Sequence, residues 1–468
     1  MNIVDCISDD NLLGRWFAGP SWDGWKAVLK GAFAIPMNED EIEFFRQVAQ
    51  RDPPRKRVRE LWAVAGRRAG KDSIASAIDV WFGAFEDFGD RLRPGEWASI
   101  VSLASDREQA RLLLRYVSAY FANVPMLRAL VRREHADGLE LNNRNEIGVL
   151  ASNFRSVRGR SIACGNLNEV AFMRSEESAS PDIEVYNALV PGMATLPTSM
   201  LIGISSPHKR SGLLYSKWCE SHGKDDDDVL VVAGESRTFN PSLPQKIVDD
   251  AMAKDPSKAR AEWLGQWRDD LAEYLSRALI EDAVDDGVIV RPPVPNVRYC
   301  AFADPSGGAS DSFTCGIAHR ENDTAILDCL IEIAPPFNPT EATNDIAATL
   351  RAYGLRLVVG DRYAAGWVVD AFRRAGVEYK HADIDRSAIY RNCLPLFTAA
   401  RLRLLDHPKL IAQFASLERK TLSGGRERID HPDIANAHDD LSNSCAGALV
   451  LASGVLRDPS AFDLDLYA

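Results

Sequence analysis

No stretch of 18 or more residues in this 468-residue chain is free of charged and polar breaks, so no membrane-spanning helix is expected. The start, Met1-Asn-Ile-Val-Asp-Cys6, has neither the basic end nor the apolar core of a secretory leader. A cytoplasmic location and no membrane partner follow as expectations. The eight cysteines are scattered, with no Cys-x-x-Cys pair and no histidine at zinc-finger spacing. That excludes a disulfide scaffold and a structural zinc, and leaves reduced, mostly buried thiols. There is no internal repeat and no low-complexity tract. An excess of positive charge is also missing: 55 Lys and Arg stand against 67 Asp and Glu, a net −12. A protein that coats nucleic acid along its whole surface is thereby excluded, whereas a local basic groove is not. Arginines cluster at 51–59, 67–68, 155–160 and 351–403, although most single charges are expected on solvated faces.

What is present is the composition of a globular protein, 46% hydrophobic and 26% charged, able to bury sizeable cores. At roughly 150 residues per domain the length suits two or three domains, and two is the working count. The proline-rich run Arg291-Pro-Pro-Val-Pro-Asn296 cannot continue a helix and suits a hinge. The expected division is a first domain at 1–275, with a lid at about 220–275, a linker at 276–296, and a second domain at 297–468. Before the break, apolar bursts of strand length (61–65, 98–103, 147–151, 161–164, 200–204) alternate with helical stretches (73–85, 106–121), which predicts a mainly parallel α/β sheet. After it, 297–303, 312–319 and 324–333 read as a three-strand meander, followed by helix 340–353, strand 355–360 and helix 366–375. The run Asp225-Asp-Asp-Asp228 reads as an exposed loop.

The segment Leu61-Trp-Ala-Val-Ala-Gly66-Arg67-Arg68-Ala69-Gly70-Lys71-Asp72-Ser73 passes from an apolar strand through a small-residue turn into a helix. Small residues let backbone N–H groups approach phosphates, the helix start adds its positive dipole end, and Lys71 reaches the outer phosphates of ATP. The segment departs from the standard pattern twice. Ala65 stands for the first glycine, and Asp72 stands where a magnesium-binding Ser or Thr follows the lysine. A second apolar strand ends in Asn168-Glu169, where a metal-binding acid and a water-activating glutamate normally sit. Glu169 suits a general base. Asp72 would supply the negative charge that Asn168 lacks, keeping one carboxylate near Mg²⁺; the alternative is a degenerate site that binds nucleotide poorly. Arg158, just upstream, suits an arginine finger on a neighbouring subunit's ATP, or else an ordinary surface charge. Ser205-Ser206, at the end of a further strand, suits γ-phosphate sensing, with Ser206 at the nucleotide.

In the second domain, two apolar strands end in Asp304 and Asp361, 57 residues apart, and a helix begins at His438-Asp439-Asp440. Acids converging from such elements can hold two divalent metals, Mg²⁺ or Mn²⁺, about 4 Å apart, one activating water and the other stabilising the leaving oxygen of a phosphodiester. The expected ligands are Asp304, Asp361, Asp439 and Asp440, with Asp311 as an extra, in an RNase H-like nuclease. The basic stretch from Arg373 to Lys380, with Arg386, Arg391, Arg401 and Arg403, suits a grip on DNA phosphates, or equally the solvated face of a helix.

In this order the motifs resemble the phage large terminase family, the packaging motors of tailed viruses. They are Gly66-Arg-Arg-Ala-Gly-Lys71, Arg158-Gly159 before Leu167-Asn-Glu169, Ser205-Ser206-Pro207, Glu262-Trp-Leu-Gly-Gln-Trp267, Asp304, Asp361 and His438-Asp-Asp440. The resemblance implies an ASCE-type P-loop NTPase domain followed by an RNase H-like nuclease domain. It further implies a homo-oligomeric ring of five on the portal protein of a procapsid, with single subunits monomeric in isolation. Such a ring translocates double-stranded DNA and cuts the concatemer, with a small terminase subunit choosing the start site. The implied location is the cytoplasm of a bacterial host, transiently at the procapsid portal and not in the mature virion. Gln47 lies where related motors grip adenine, and Trp16, Trp22 and Trp25 are expected to staple the N-terminal segment to the core. The family has Ser or Thr at the position of Asp72 and Asp at that of Asn168, a departure that bears on the strength of ATP turnover and not on the fold. Two other classes stay open. A helicase-nuclease of repair or defence is opposed by the single P-loop and the short linker. A terminase-like assembly protein with a degenerate ATPase is favoured by Asn168 and opposed by Lys71 and Glu169.

Overall fold

The structure, a computed structural model, describes residues 1–104, 107–151, 157–173, 181–309, 311–361, 366–421, 427–432 and 438–454. Of the basic cluster at 155–160, Arg155 lies outside them. The chain divides into two compact units between residues 269 and 270.

The first unit is built on eight strands: β1 Glu60–Ala65, β2 Ala98–Ala104, β3 Val131–His135, β4 Gly138–Leu141, β5 Asn145–Ala151, β6 Ser161–Asn168, β7 Met200–Ser205 and β8 Val229–Gly234. They form one sheet in the order β3-β4-β5-β2-β6-β7-β1-β8. From β5 to β8 every pairing is parallel, and β4 alone runs the other way, antiparallel to both β3 and β5. Helices on both faces explain why the central strands read as unbroken apolar runs. In β1, Leu61, Ala63 and Ala65 enter one core with Ile78, Phe82, Ile202 and Val232. Trp62 and Val64 enter the opposite core with Leu167, Leu189 and Leu201, as the two-residue repeat of a strand dictates. Strand β7 lies between β1 and β6, which is the ASCE arrangement. It brings Ala65, Asn168 and Ser205 to one edge, the carboxyl ends of neighbouring parallel strands, where ligands of α/β sheets bind.

Part of the stretch expected as a lid belongs to this sheet. The acidic loop ends at Asp228, whose carbonyl accepts from the N–H groups of Arg59 and Glu60, and this sets β8 in register along β1. The remainder forms helices Gln245–Lys254 and Pro256–Leu264.

The second unit contains β9 Leu271–Glu273, β10 Val284–Asp285, β11 Tyr299–Asp304, β12 Phe313–Glu321, β13 Thr324–Ile333, β14 Leu357–Gly360, β15 Glu378–His381, β16 Leu402–Leu405, β17 Glu418–Thr421 and β18 Glu427–Asp430. The main sheet runs β10-β16-β13-β12-β11-β14-β15, beside a small sheet β18-β17-β9. Strands β11 to β13 form an antiparallel meander, and β14 then returns parallel to β11 with β15 parallel to it. That is the RNase H-like order. Helix Asp440–Ala452 lies close on the sheet because its partners there are glycines: a Cβ on Gly447 would sit 2.2 Å from the Phe302 ring, and one on Gly316 would sit 2.7 Å from the Ser444 carbonyl.

The segment expected as a hinge packs with this second unit in its first half. Ile280 of helix Arg277–Glu281 is fully buried, β10 pairs with β16, and the Arg291 N–H donates to the Asp328 carbonyl at 2.8 Å. Ile289 and Val290 and the prolines beyond Arg291 are exposed and lie outside any helix or strand.

Candidate functional site

At the first edge, β1 turns through residues 66–70 into helix Lys71–Phe85. The turn needs its glycines. Gly70 has φ +90°, and a Cβ on Gly66 would lie 2.3 Å from Ser236 Oγ and 2.8 Å from the Trp263 carbonyl. Arg68 also takes a positive φ of 60°. The rest of the loop is clamped from outside. Trp25, buried and stacked on Phe239, donates its indole N–H to the Ala69 carbonyl at 2.6 Å. Asn240 donates to the Arg68 carbonyl at 2.9 Å, and Arg67 pairs with Glu262 at 3.3 Å. The N-terminal tryptophan and the 262–267 segment thus hold the loop in shape.

Lys71 is buried. Its Nζ donates to the carbonyls of Ala65 and Gly66, at 3.1 and 3.0 Å, and to Ser206 Oγ at 3.3 Å. The ammonium therefore stands at the mouth of β1 and β7. Asn168 and Asp72 meet directly: Asn168 Nδ2 donates to Asp72 Oδ1 at 3.1 Å. Asn168 Oδ1 is buried and has no hydrogen-bond partner among the described residues. A buried amide oxygen left unsatisfied beside a carboxylate is a donor set for a hard cation, and these residues fit Mg²⁺. Glu169 follows in the left-handed region, with φ 50°, which is costly for a non-glycine residue. Its Oε2 accepts from Ser205 Oγ at 3.1 Å. Ser73 is half-buried on the first turn of the helix. Arg158 is exposed, on the turn before β6 that is anchored by buried Val157. Gln47 is exposed on helix Glu39–Ala49, and among the described residues no hydrogen bond joins it to the turn at 66–70.

In the second unit, Ala303 pairs with Gly360, so Asp304 and Asp361 sit side by side at the carboxyl ends of β11 and β14. Asp440 opens helix Asp440–Ala452, where its carboxylate accepts from the Ser312 N–H at 3.3 Å. Burial pushes the Asp304 carboxyl up to about 8, although the Arg386 charge and a 2.7 Å hydrogen bond from Asn443 Nδ2 oppose the rise. Burial and the Asp439 charge push Asp440 up to about 6. Carboxyls raised in this way are short of positive charge, and a divalent cation supplies it. The buried Asn443 Oδ1, which has no hydrogen-bond partner among the described residues, adds to the fit.

Asp439, expected as a ligand, is already engaged at both oxygens, by Arg386 Nη1 at 2.8 Å and Tyr390 O–H at 3.0 Å. It holds Arg386, whose other arm lies 3.7 Å from Asp361. Arg386 is therefore drawn in among the acids, not spread on an open phosphate-binding face. Asp311 lies 3.5 Å from the His438 ring and is half-exposed. From the sequence neither Asn443 nor Tyr390 is expected at a site, and Arg386 is offered as a grip on DNA phosphates and not as a partner of the acids. The spacing of Asn443 three residues after Asp440 puts both on one helix face and is legible in the sequence, whereas Arg386 and Tyr390 arrive from a distant helix with no local signal.

No family model matches the chain, and no curated protein matches it. Solved structures do. The large terminase of bacteriophage HK97 aligns at 14% identity and TM-score 0.45, over 96% of this chain and 99% of that one. The large terminase of a thermophilic bacteriophage, in complex with ADP, aligns at 13% identity and TM-score 0.38, over 84% and 93%. The large terminase nuclease of the thermophilic phage G20c with bound magnesium aligns at 17% identity and TM-score 0.32, over 38% and 96%. Over most of its length the chain is similar to phage large terminases.

Proposed function

We propose that this chain is the large terminase subunit of a tailed phage or prophage, an ATPase that drives double-stranded DNA into a procapsid and a two-metal endonuclease that cuts the concatemer. The observation that carries the reading is the pairing, in one chain, of an ASCE sheet whose carboxyl edge gathers Lys71, Asp72, Asn168 and Glu169 with an RNase H-like sheet whose edge gathers Asp304, Asp361 and Asp440.

In the first unit, the phosphate loop would cradle the β-phosphate with its backbone N–H groups. Lys71 would exchange the carbonyls of Ala65 and Gly66 for phosphate oxygens, keeping Ser206 as its link to β7. Asp72 and Asn168 Oδ1 would hold Mg²⁺, which when bound neutralises charge on the phosphate oxygens. Glu169, steadied by Ser205, would orient water and take its proton. Arg158 would act on a neighbouring subunit's nucleotide in a ring of five on the portal protein, and Gln47 would approach the adenine. In the second unit, Asp304, Asp361 and Asp440 would hold Mg²⁺ or Mn²⁺, which when bound polarises water and the leaving oxygen. Asn443 and Arg386 would keep the acids in place between cuts. A small terminase subunit would direct the complex to its start site, in the cytoplasm of the bacterial host.

One observation favours a degenerate ATPase instead, namely that an amide and not an acid ends β6. The deciding experiment is ATP turnover by the full chain, alone and with DNA and procapsids, beside plasmid cleavage in Mg²⁺ or Mn²⁺. Turnover that rises with DNA and procapsids and vanishes in Lys71→Ala supports the motor. Cleavage without any turnover leaves only the nuclease and selects the degenerate reading.

A further inference from the structure

Below the phosphate loop the same helix carries a second carboxylate that the proposed hydrolysis does not use. Asp79 is fully buried on helix Lys71–Phe85. Its Oδ2 accepts from Ser102 Oγ of β2 at 2.6 Å and from Asn166 Nδ2 of β6 at 3.4 Å, and Cys164 Sγ of β6 lies 4.0 Å from Oδ1. Seven positions separate Asp72 from Asp79, two turns of helix, so both face the sheet. Two positions separate Asn166 from Asn168, so both amides face the helix. The result is a ladder of two Asp and Asn rungs, Asp72 with Asn168 at the phosphate edge and Asp79 with Asn166 beneath it. In both rungs the asparagine Oδ1 is buried without a hydrogen-bond partner among the described residues. Apolar side chains would pack this helix against the sheet at lower cost than a buried carboxylate, so the rung is an unfavourable choice for stability alone.

We propose that Asp79 is a positioning residue for ATP hydrolysis: by binding β2 through Ser102 and β6 through Asn166, it sets the register of the phosphate-loop helix and so the Asp72 and Asn168 pair that would receive Mg²⁺. This rests on the nucleotide reading of the first unit. Outer groups of this kind act through the ligands they orient, and their loss costs about 10- to 100-fold in metal affinity or activity.

The test uses the full chain as wild type, Asp79→Ala, Asp79→Asn and Ser102→Ala. Affinity for a fluorescent ATP analogue is measured in EDTA and in Mg²⁺, together with kcat and thermal unfolding. In Asp79→Ala, metal-free affinity stays within about twofold, while the gain in affinity on adding Mg²⁺ and kcat both fall by about 10- to 100-fold. Asp79→Asn recovers most of both, because its amide oxygen still accepts from Ser102, and Ser102→Ala falls in the same direction as Asp79→Ala. Unchanged magnesium dependence and kcat in Asp79→Ala overturn the proposal. So does a loss of metal-free affinity and folding in step with kcat, which marks a merely structural group. If Asp79→Ala does not fold, Ser102→Ala with wild-type values overturns it instead. A wild type that binds no nucleotide overturns the reading of the first unit and this inference with it, and is told apart by that control alone.

Discussion

Asn168 at the end of β6 donates its amide to the carboxylate of Asp72, on the first turn of the phosphate-loop helix, at 3.1 Å. Two of the three positions at which the motifs depart from the usual pattern, Asp72 and Asn168, are therefore one contact. An acid on the strand facing a hydroxyl on the helix has become an amide on the strand facing an acid on the helix. One carboxylate is present in either arrangement, and only the element that carries it differs.

This predicts compensation between the two sites. Asp72→Ser removes the carboxylate and should lower Mg²⁺-dependent ATP turnover by about 100-fold, within the range for lost ligands and their partners. Asn168→Asp alone sets two carboxylates against each other and should raise the Mg²⁺ concentration needed for half-maximal turnover. The double variant Asp72→Ser with Asn168→Asp should recover turnover to within about tenfold of wild type, as expected of contacting residues whose effects do not add. Additive losses in the double variant would sink the exchange.

At the acid cluster the two adjacent aspartates should behave differently. Asp440→Asn removes a carboxyl open to metal and should abolish plasmid cleavage while leaving ATP turnover unchanged, and, because burial and the Asp439 charge raise that carboxyl, it should not lower thermal stability at neutral pH. Asp439→Asn leaves Arg386 with a weakened partner in a largely buried position, and should lower the unfolding temperature more than Asp440→Asn does. Thermal unfolding and cleavage measured on the same preparations separate the two roles. Equal stability of both variants would contradict the assignment of Asp439 as the holder of Arg386.

The strands β1, β2, β6 and β7, the meander β11 to β13 and the helix after Gly70 are all legible in the sequence, because each is an apolar run of the right length between clear breaks. Strand β8 is not legible as part of the sheet, since its pairing with β1 depends on a contact between Asp228 and residues 59 and 60, far away in sequence. Residues 276–290 are equally hidden. Polar composition and the prolines that follow suggest a linker, whereas burial of Ile280 and pairing of Val284 with Leu404 tie the segment to the second unit. At the sites, carboxylates at strand ends announce themselves. Asn443 shares a helix face with Asp440 three residues before it, whereas Arg386, Tyr390 and Asp79 are side chains whose meaning appears only once distant elements have packed.

Gly66 provides a stringent probe of the loop. A methyl group there meets Ser236 Oγ at 2.3 Å and the Trp263 carbonyl at 2.8 Å, and a backbone atom cannot swing away. Gly66→Ala should cost about 1–3 kcal/mol of first-unit stability through overpacking. It should also displace the two carbonyls that Lys71 now engages, so that ATP affinity falls together with stability. Ala65→Gly, by contrast, restores the residue usual at the motif's first position and should leave affinity near wild type. Paired nucleotide titrations and unfolding curves check both.

The buried Asp79 makes stability depend on pH in a direction that can be worked out. Burial raises its carboxyl from 3.8 to about 7, against the opposing hydrogen bonds from Ser102 and Asn166. The folded state therefore holds a proton that the unfolded state has released between about pH 4 and pH 7, and stability falls as pH rises through that window. The full contribution is present below the unfolded value, near 3.8, and is lost above about 7, with an upper magnitude on the order of 4 kcal/mol. The thiol of Cys164, itself pushed up by burial and by the Asp79 charge against the opposing charge of Arg57, lies beside it and stays neutral across this range. Asp79→Asn cannot titrate. Its unfolding temperature relative to wild type should accordingly increase from about pH 5 to about pH 8, with the variant the more stable at the alkaline end. A difference that stays flat with pH would mean that Asp79 remains charged throughout and that its partners offset the cost of burial.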